Sequence, residues 1–139
     1  MDERGLVRHA VEAQERAYCP YSGFAVGAAL LSKGGKVFTG CNVENVSSGL
    51  TVCAERSAVF KAISEGEREF QTLAVACGRG ACTPCGACRQ VLLEFSPELQ
   101  VVMADAQGTV HLRRSLGELL PDAFRPGQIS EANSDQSRS

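Results

Sequence analysis

The chain has 139 residues, 44% hydrophobic and 22% charged, with a formal net charge of −2. That length suits one domain with a real core, and the faintly acidic balance argues against a nucleic-acid-binding protein, whose contact face is normally basic. No run approaches the ~18 consecutive apolar residues of a membrane span, and Met1-Asp2-Glu3-Arg4 lacks the basic-then-apolar start of a secretory signal, so a cytoplasmic location is expected.

The first predicted helix covers about Glu3 to Ala17, where Leu6, Val7, Ala10, Val11, Ala13 and Ala17 recur at helical spacing. Tyr18-Cys19-Pro20-Tyr21-Ser22-Gly23 breaks it. Phe24 to Leu31 reads as a buried strand, Lys33-Gly34-Gly35-Lys36 as a hairpin turn, and Val37 to Cys41 as the returning strand. Asn42 to Gly49 is a polar loop, and a second helix is expected from Thr51 to Ser64, ended by Gly66. Thr72 to Cys77, short and apolar, reads as a strand covered on both faces. A loop from Gly78 to Pro84 leads to a helix over Gly86 to Phe95, stopped by Ser96-Pro97. Leu99 to Ala104 and Thr109 to Leu112 are strands four and five around a turn at Ala106-Gln107-Gly108, and Ser115 to Leu120 is a short helix before Pro121. The order α-β-β-α-β-α-β-β-α implies an α/β fold: one five-stranded mixed sheet with helices on both faces, a three-layer α/β/α sandwich. Residues 1–125 form the expected single domain, and residues 126–139, polar and aromatic-free, an expected disordered tail.

Seven cysteines is an odd number that cannot pair fully within one chain. In a reducing compartment, clustered cysteines more often bind metal or do chemistry than form structural disulfides. Two segments stand out, Thr51-Val52-Cys53-Ala54-Glu55-Arg56 and Pro84-Cys85-Gly86-Ala87-Cys88-Arg89-Gln90, each at the predicted start of a helix. Cys85 and Cys88, three apart on a first helical turn, point the same way. The free N–H groups and partial positive charge of a helix N-terminus stabilise the thiolates that zinc needs.

C-x-x-C alone fits a redox pair or half of a structural zinc site. Here Cys53 supplies a third sulfur with no second C-x-x-C, and three protein ligands leave one position for water, the catalytic arrangement. Glu55, two residues after Cys53, is placed to move a proton beside such a metal. A glutamate followed by P-C-x-x-C is the signature of zinc nucleobase deaminases, whose usual first ligand, histidine, is Cys53 here. Three thiolates and one Zn²⁺ sum to a charge of about −1, which makes water at the site harder to ionise. The adjacent Arg56 is the candidate compensating cation.

With Tyr21-Ser22-Gly23-Phe24-Ala25-Val26-Gly27-Ala28-Ala29, Gly40-Cys41-Asn42-Val43-Glu44-Asn45 and Leu119-Leu120-Pro121 added in order, the chain resembles the small homotetrameric branch of the cytidine deaminase family from about Leu6 to Phe124. The resemblance implies hydrolytic deamination of cytidine and 2'-deoxycytidine in pyrimidine salvage, with one Zn²⁺ per subunit on Cys53, Cys85 and Cys88 and Glu55 as acid/base. It implies that Phe24 borders the pyrimidine, that Asn42 and Glu44 hold the ribose 3'-hydroxyl, and that backbone groups near Ala54 and Thr83 meet the base. It further implies that Phe124 stacks on the base in a neighbouring subunit, so that active sites are shared, and that Gln90 supports Arg56. Ser48 stands where the family often has a tyrosine linked to subunit contacts and the sugar's far end.

Blander readings stand beside these. On sequence alone Asn42 and Glu44 also suit the capping of a turn, and Phe24 and Phe124 a place in the core. Cys41 and Cys77, at strand ends, read as small core residues, and Cys82 is open between a plain loop thiol and a fourth sulfur at the metal. His9 and His111 lie far from the cysteines in sequence and read as surface or strand residues. The rival functions are a deaminase for another small cytosine compound, such as a blasticidin-S-type antibiotic, a polynucleotide-editing deaminase, and a non-catalytic zinc or redox module. Asn42 and Glu44 weigh against the first, the acidic balance against the second, and Glu55 against the third.

Overall fold

The computed structural model describes residues 1–129 and contains the expected elements in the expected order. A β-hairpin opens the sheet. Strands β1 (Val26–Ser32) and β2 (Val37–Cys41) pair antiparallel, and Gly35, at φ 93°, supplies the left-handed residue of the turn. Strand β3 (Phe70–Cys77) pairs antiparallel with β1 and parallel with β4 (Gln100–Ala104), whose other edge takes β5 (Val110–Ser115) antiparallel. The sheet order is β2-β1-β3-β4-β5.

Strand periodicity sorts the core onto two faces. Ala29, Leu31, Ala74, Ala76 and Val102 pack under Leu6, Val7 and Ala10 of helix α1 (Glu3–Gln14). Ala28, Leu30, Leu73, Val75 and Met103 face Ala54, Ala58 and Val59 of α2 (Ala54–Ser64) and Leu92 and Leu93 of α3 (Gly86–Phe95). A short helix α4 (Leu116–Leu119) follows β5, opened by a capping box between Ser115 and Glu118. The expected three layers are present.

Two glycines set how closely helices approach the sheet. A Cβ on Gly27 would lie 1.9 Å from the Ala10 carbonyl oxygen of α1, and one on Gly40 would lie 2.5 Å from both Ala54 O and Ala58 N of α2. The backbones of α1 and α2 therefore rest directly on β1 and β2.

The boundaries shift where side pairings intervene. Helix α1 stops at Gln14 instead of Ala17, because Tyr18 N donates to Asn42 O and draws the chain into a bridge with Val43. Strand β1 starts at Val26, two residues late, after Gly23 turns the chain at φ 69°. Helix α2 starts at Ala54, because Val52 is engaged in two backbone hydrogen bonds with Val43. Strand β5 runs three residues past Leu112, through Arg113 and Arg114, charged residues suited to an exposed sheet edge. His111 on it reaches Asp105 Oδ2 at 2.8 Å. Residues 126–129, expected as part of a disordered tail, form a helical turn, and the rest of that tail lies outside the described residues. No helix among the described residues is long and apolar enough to cross a membrane.

Candidate metal centre and adjoining cleft

Helices α2 and α3 bring their N-termini together, and each is capped by a cysteine whose side chain makes no capping bond: Cys53 on α2 and Cys85 on α3. Cys88 follows in the first turn of α3 and is buried. The three Sγ atoms lie within 4.8 Å of one another, with Cys53–Cys85 at 3.8 Å and Cys85–Cys88 at 3.4 Å. Sulfurs about 2.3 Å from a tetrahedral zinc are about 3.8 Å apart, the Cys53–Cys85 spacing and close to that of Cys85 and Cys88. Among the described residues no other group of three potential ligands lies this close.

The thiols are electrostatically unequal. Burial pushes Cys85 up, but the Cys88 backbone N–H, the Cys88 and Cys53 sulfurs and the Ala87 N–H outweigh it and hold Cys85 below the usual thiol range. Burial, then the Glu55 charge and the neighbouring sulfurs, drive Cys88 far above that range. Without a cation, Cys88 therefore stays protonated. A divalent metal is the group that makes three thiolates tolerable in so small a space.

Glu55 lies in the first turn of α2 and is only 4% exposed. Burial raises its pKa above the ordinary carboxyl value, against opposing pulls from its own backbone N–H, the Cys88 side chain and Arg56. Arg56 also reaches the cluster, its Nη2 3.6 Å from Cys53 Sγ and 3.4 Å from the Thr51 carbonyl oxygen. Contact with Cys53 raises the Arg56 pKa further. Among the described residues the buried Arg56 Nε has no hydrogen-bond partner. Gln90, expected to support Arg56, instead donates from Nε2 to the Phe124 carbonyl oxygen at 2.7 Å. The reason is the chain reversal after α4, which brings Phe124 back over α3.

Beside the sulfurs a cleft of about 270 Å³ opens, at the small end of ligand-binding volumes. Cys53, Ala54, Glu55 and Cys85 line one end, and Phe24, Asn42 and Glu44 line the rest with Ser22, Thr51 and Thr83. Clefts elsewhere on the surface, near Met1 and near Pro97, contain no cysteine.

Asn42 is buried and already bonded: its Oδ1 accepts from Val26 N at 2.9 Å and its Nδ2 donates to Phe24 O at 2.8 Å. It fixes the backbone on both sides of Ala25, a scaffold role that the sequence did not disclose. Glu44 Oε1 accepts from Tyr21 N and Ser22 N, so it does cap a turn, while its carboxylate also borders the cleft. Phe24 is half exposed and lines the cleft, whereas Phe124 is exposed and does not line the cleft of its own chain. Ser48 begins an exposed 3-10 turn, Ser48–Leu50.

Cys77 and Cys82 correct the sequence reading. Cys77 is buried as expected, but it is disulfide-bonded to Cys82, with the Cα atoms 5.8 Å apart. Cys82 is therefore neither a plain thiol nor a fourth sulfur at the metal, although it lines the cleft. The bridge ties the end of β3 to the loop that delivers Cys85. Cys41 is only partly buried, its Sγ 3.4 Å from the Arg16 carbonyl oxygen.

Residues 1–104 match the family described as the cytidine and deoxycytidylate deaminase zinc-binding region. A cytidine deaminase from Halalkalibacterium halodurans is 49% identical over 133 residues, 94% of this chain and 100% of that protein. One from Mycobacterium tuberculosis is 50% identical over 125 residues, 89% of this chain and 90% of that protein. The crystal structure of cytidine deaminase from Burkholderia pseudomallei superposes with a TM-score of 0.85 at 52% identity, covering 89% of this chain and all of that one (100%).

Proposed function

The chain belongs to the cytidine and deoxycytidylate deaminase family, and on that premise we propose that it hydrolyses the 4-amino group of free cytidine and 2'-deoxycytidine. The products are uridine or 2'-deoxyuridine and ammonia, and the reaction serves pyrimidine salvage in the cytoplasm. The names of the relatives support the cytidine assignment. The observation that carries the chemistry is the buried Glu55 carboxyl in a cleft also lined by Cys53 and Cys85, two of three sulfurs clustered at metal-ligand spacing.

Cys53, Cys85 and Cys88 would hold one Zn²⁺ per subunit, which would supply Lewis acidity and lower the pKa of the attacking water. Glu55 takes a proton from the attacking water and delivers it to ring N3, which makes C4 electrophilic. After the water oxygen bonds to C4, Glu55 takes the remaining proton from the new C4 hydroxyl and passes it to the amino nitrogen; the C4–N bond breaks as the C4 carbonyl forms, and ammonia leaves. The raised pKa of Glu55 suits a group that must hold a proton between these transfers. Arg56 draws charge from the sulfurs. Phe24 borders the ring, and backbone groups at Ala54 and Thr83 meet the base. Asn42 and Glu44 hold the 3'-hydroxyl and so anchor the sugar end of the nucleoside in the cleft. Phe124 completes the site of a neighbouring subunit in a homotetramer.

The test measures bound zinc and the loss of cytidine absorbance in the wild type and in Glu55→Gln. The variant is expected to retain zinc and to lose about 10²- to 10⁴-fold in turnover. Full turnover in Glu55→Gln would overturn the mechanism. A zinc-loaded wild type that ignores cytidine and deoxycytidine but accepts another cytosine compound would overturn the substrate.

A further inference from the structure

Glu44 is a partly exposed side chain with three rotatable bonds, and left to itself it would not hold a fixed direction. Three donors from one two-residue segment remove that freedom. Oε1 accepts from Tyr21 N at 3.0 Å and Ser22 N at 3.1 Å, and Oε2 accepts from the Ser22 hydroxyl. A carboxylate offers about four acceptor positions. With these three filled, a single position on Oε2 is left, which suits one incoming hydroxyl.

The Ser22 hydroxyl has a second partner, because its oxygen accepts from Phe24 N at 3.0 Å. The polarity of this chain of bonds is fixed by its ends. The Phe24 N–H can only donate, and the Glu44 carboxylate, held below the usual carboxyl pKa first by the Ser22 hydroxyl, is ionised and can only accept. A single oxygen thus connects the backbone of the aromatic residue at the cleft wall to the carboxylate at its polar end. Both connected residues line the cleft, and so does Ser22 itself. Phe24 has a second tie through Asn42 Nδ2, whereas among the described residues Oε2 of Glu44 has no partner except Ser22.

We propose that Ser22 is a positioning residue that sets the sugar specificity of the cleft: its hydroxyl locks Glu44 Oε2 at a fixed offset from Phe24, so that base wall and sugar anchor keep the spacing of one nucleoside. The proposal rests on the reading of Glu44 as the partner of the sugar 3'-hydroxyl. Replacing Ser22 by alanine leaves Oε1 tied to two backbone N–H groups and frees the oxygen that has the open acceptor position. The loss falls on substrates that use that position and spares the chemical step.

The experiment compares cytidine with 2',3'-dideoxycytidine, which lacks the 3'-hydroxyl, in the wild type, Ser22→Ala and Glu44→Gln. Ser22 is exposed, so its alanine variant folds. In Ser22→Ala, KM for cytidine is expected to rise about fivefold to tenfold, with kcat within about twofold, while KM for the dideoxy substrate moves by less than about twofold. Equal changes for both substrates, a change in kcat alone, or no change at all would overturn the proposal. Glu44→Gln separates the premise. If that variant raises KM for cytidine selectively and Ser22→Ala does not, the reading of Glu44 stands and the role of Ser22 falls. If Glu44→Gln does not discriminate between the substrates, the premise fails and the proposal fails with it.

Discussion

Arg56 sits where the charge of the site has to be balanced. It contacts both Cys53 Sγ and the Thr51 carbonyl oxygen, and among the described residues its buried Nε has no partner. Removing it leaves three thiolates against one divalent ion and disfavours loss of a further proton nearby. In Arg56→Ala the acid limb of the kcat/KM–pH profile is expected to move to higher pH, with turnover at neutral pH falling about tenfold or more. A pH–rate series with metal analysis at each point checks this, and an unshifted limb would mean that Arg56 only packs. Arg56, Glu55 and the cysteines were legible in sequence because their chemistry depends on short spacings within two helical first turns. The bond of Gln90 to Phe124 and the scaffold bonds of Asn42 were not, because each joins residues 34 and about 16–18 positions apart and depends on loop paths that no local pattern encodes.

At the scale of elements, the site is where two helix N-termini meet, and glycine decides how close α2 can come. Gly40→Ala would drive a Cβ into Ala54 O and Ala58 N, and α2 must then lift at the turn that carries Glu55 beside Cys53. Gly27→Ala makes the same kind of clash under α1, on the other face of the sheet. Both variants are expected to lose about 1–3 kcal/mol or more of stability, but only Gly40→Ala should also lose zinc from the molecules that remain folded. Thermal melting with zinc counted on the folded fraction separates the two, and equal zinc retention would show that α2 absorbs the clash away from its N-terminus. The strands and helices themselves were readable from apolar periodicity. Their ends were not where tertiary pairing overrode it: Val43 captures Val52 and delays α2, and the β4 edge extends β5 through Arg113 and Arg114. The Cys77–Cys82 bridge was invisible for the same reason, since only the return of the 78–84 loop brings Cys82 within reach of the end of β3.

At the scale of the whole molecule, exposed apolar residues collect on the segments that build the cleft. Tyr18, Tyr21 and Phe24 belong to one such segment, Val43, Val46 and Leu50 to another, and Phe124 is added after α4, with Val46 as much as 81% exposed. Large bare apolar surface of this kind is normally covered by a partner, and a second copy of the same chain is the proposed one. If Phe124 completes a neighbour's site, two differently damaged chains can repair each other. A Glu55→Gln chain lacks its own acid/base but still offers Phe124, and a Phe124→Ala chain keeps Glu55 but offers no stacking ring. In a randomly mixed tetramer about one site in four then joins an intact Glu55 to an intact Phe124. Co-expressed in equal amounts, the two variants are expected to reach about a quarter of wild-type activity, well above the average of the separate variants if each is strongly impaired. Light scattering on the same sample reports the assembly. Activity equal to that average, in a sample that is tetrameric and mixed, would place Phe124 in its own chain's site or in none.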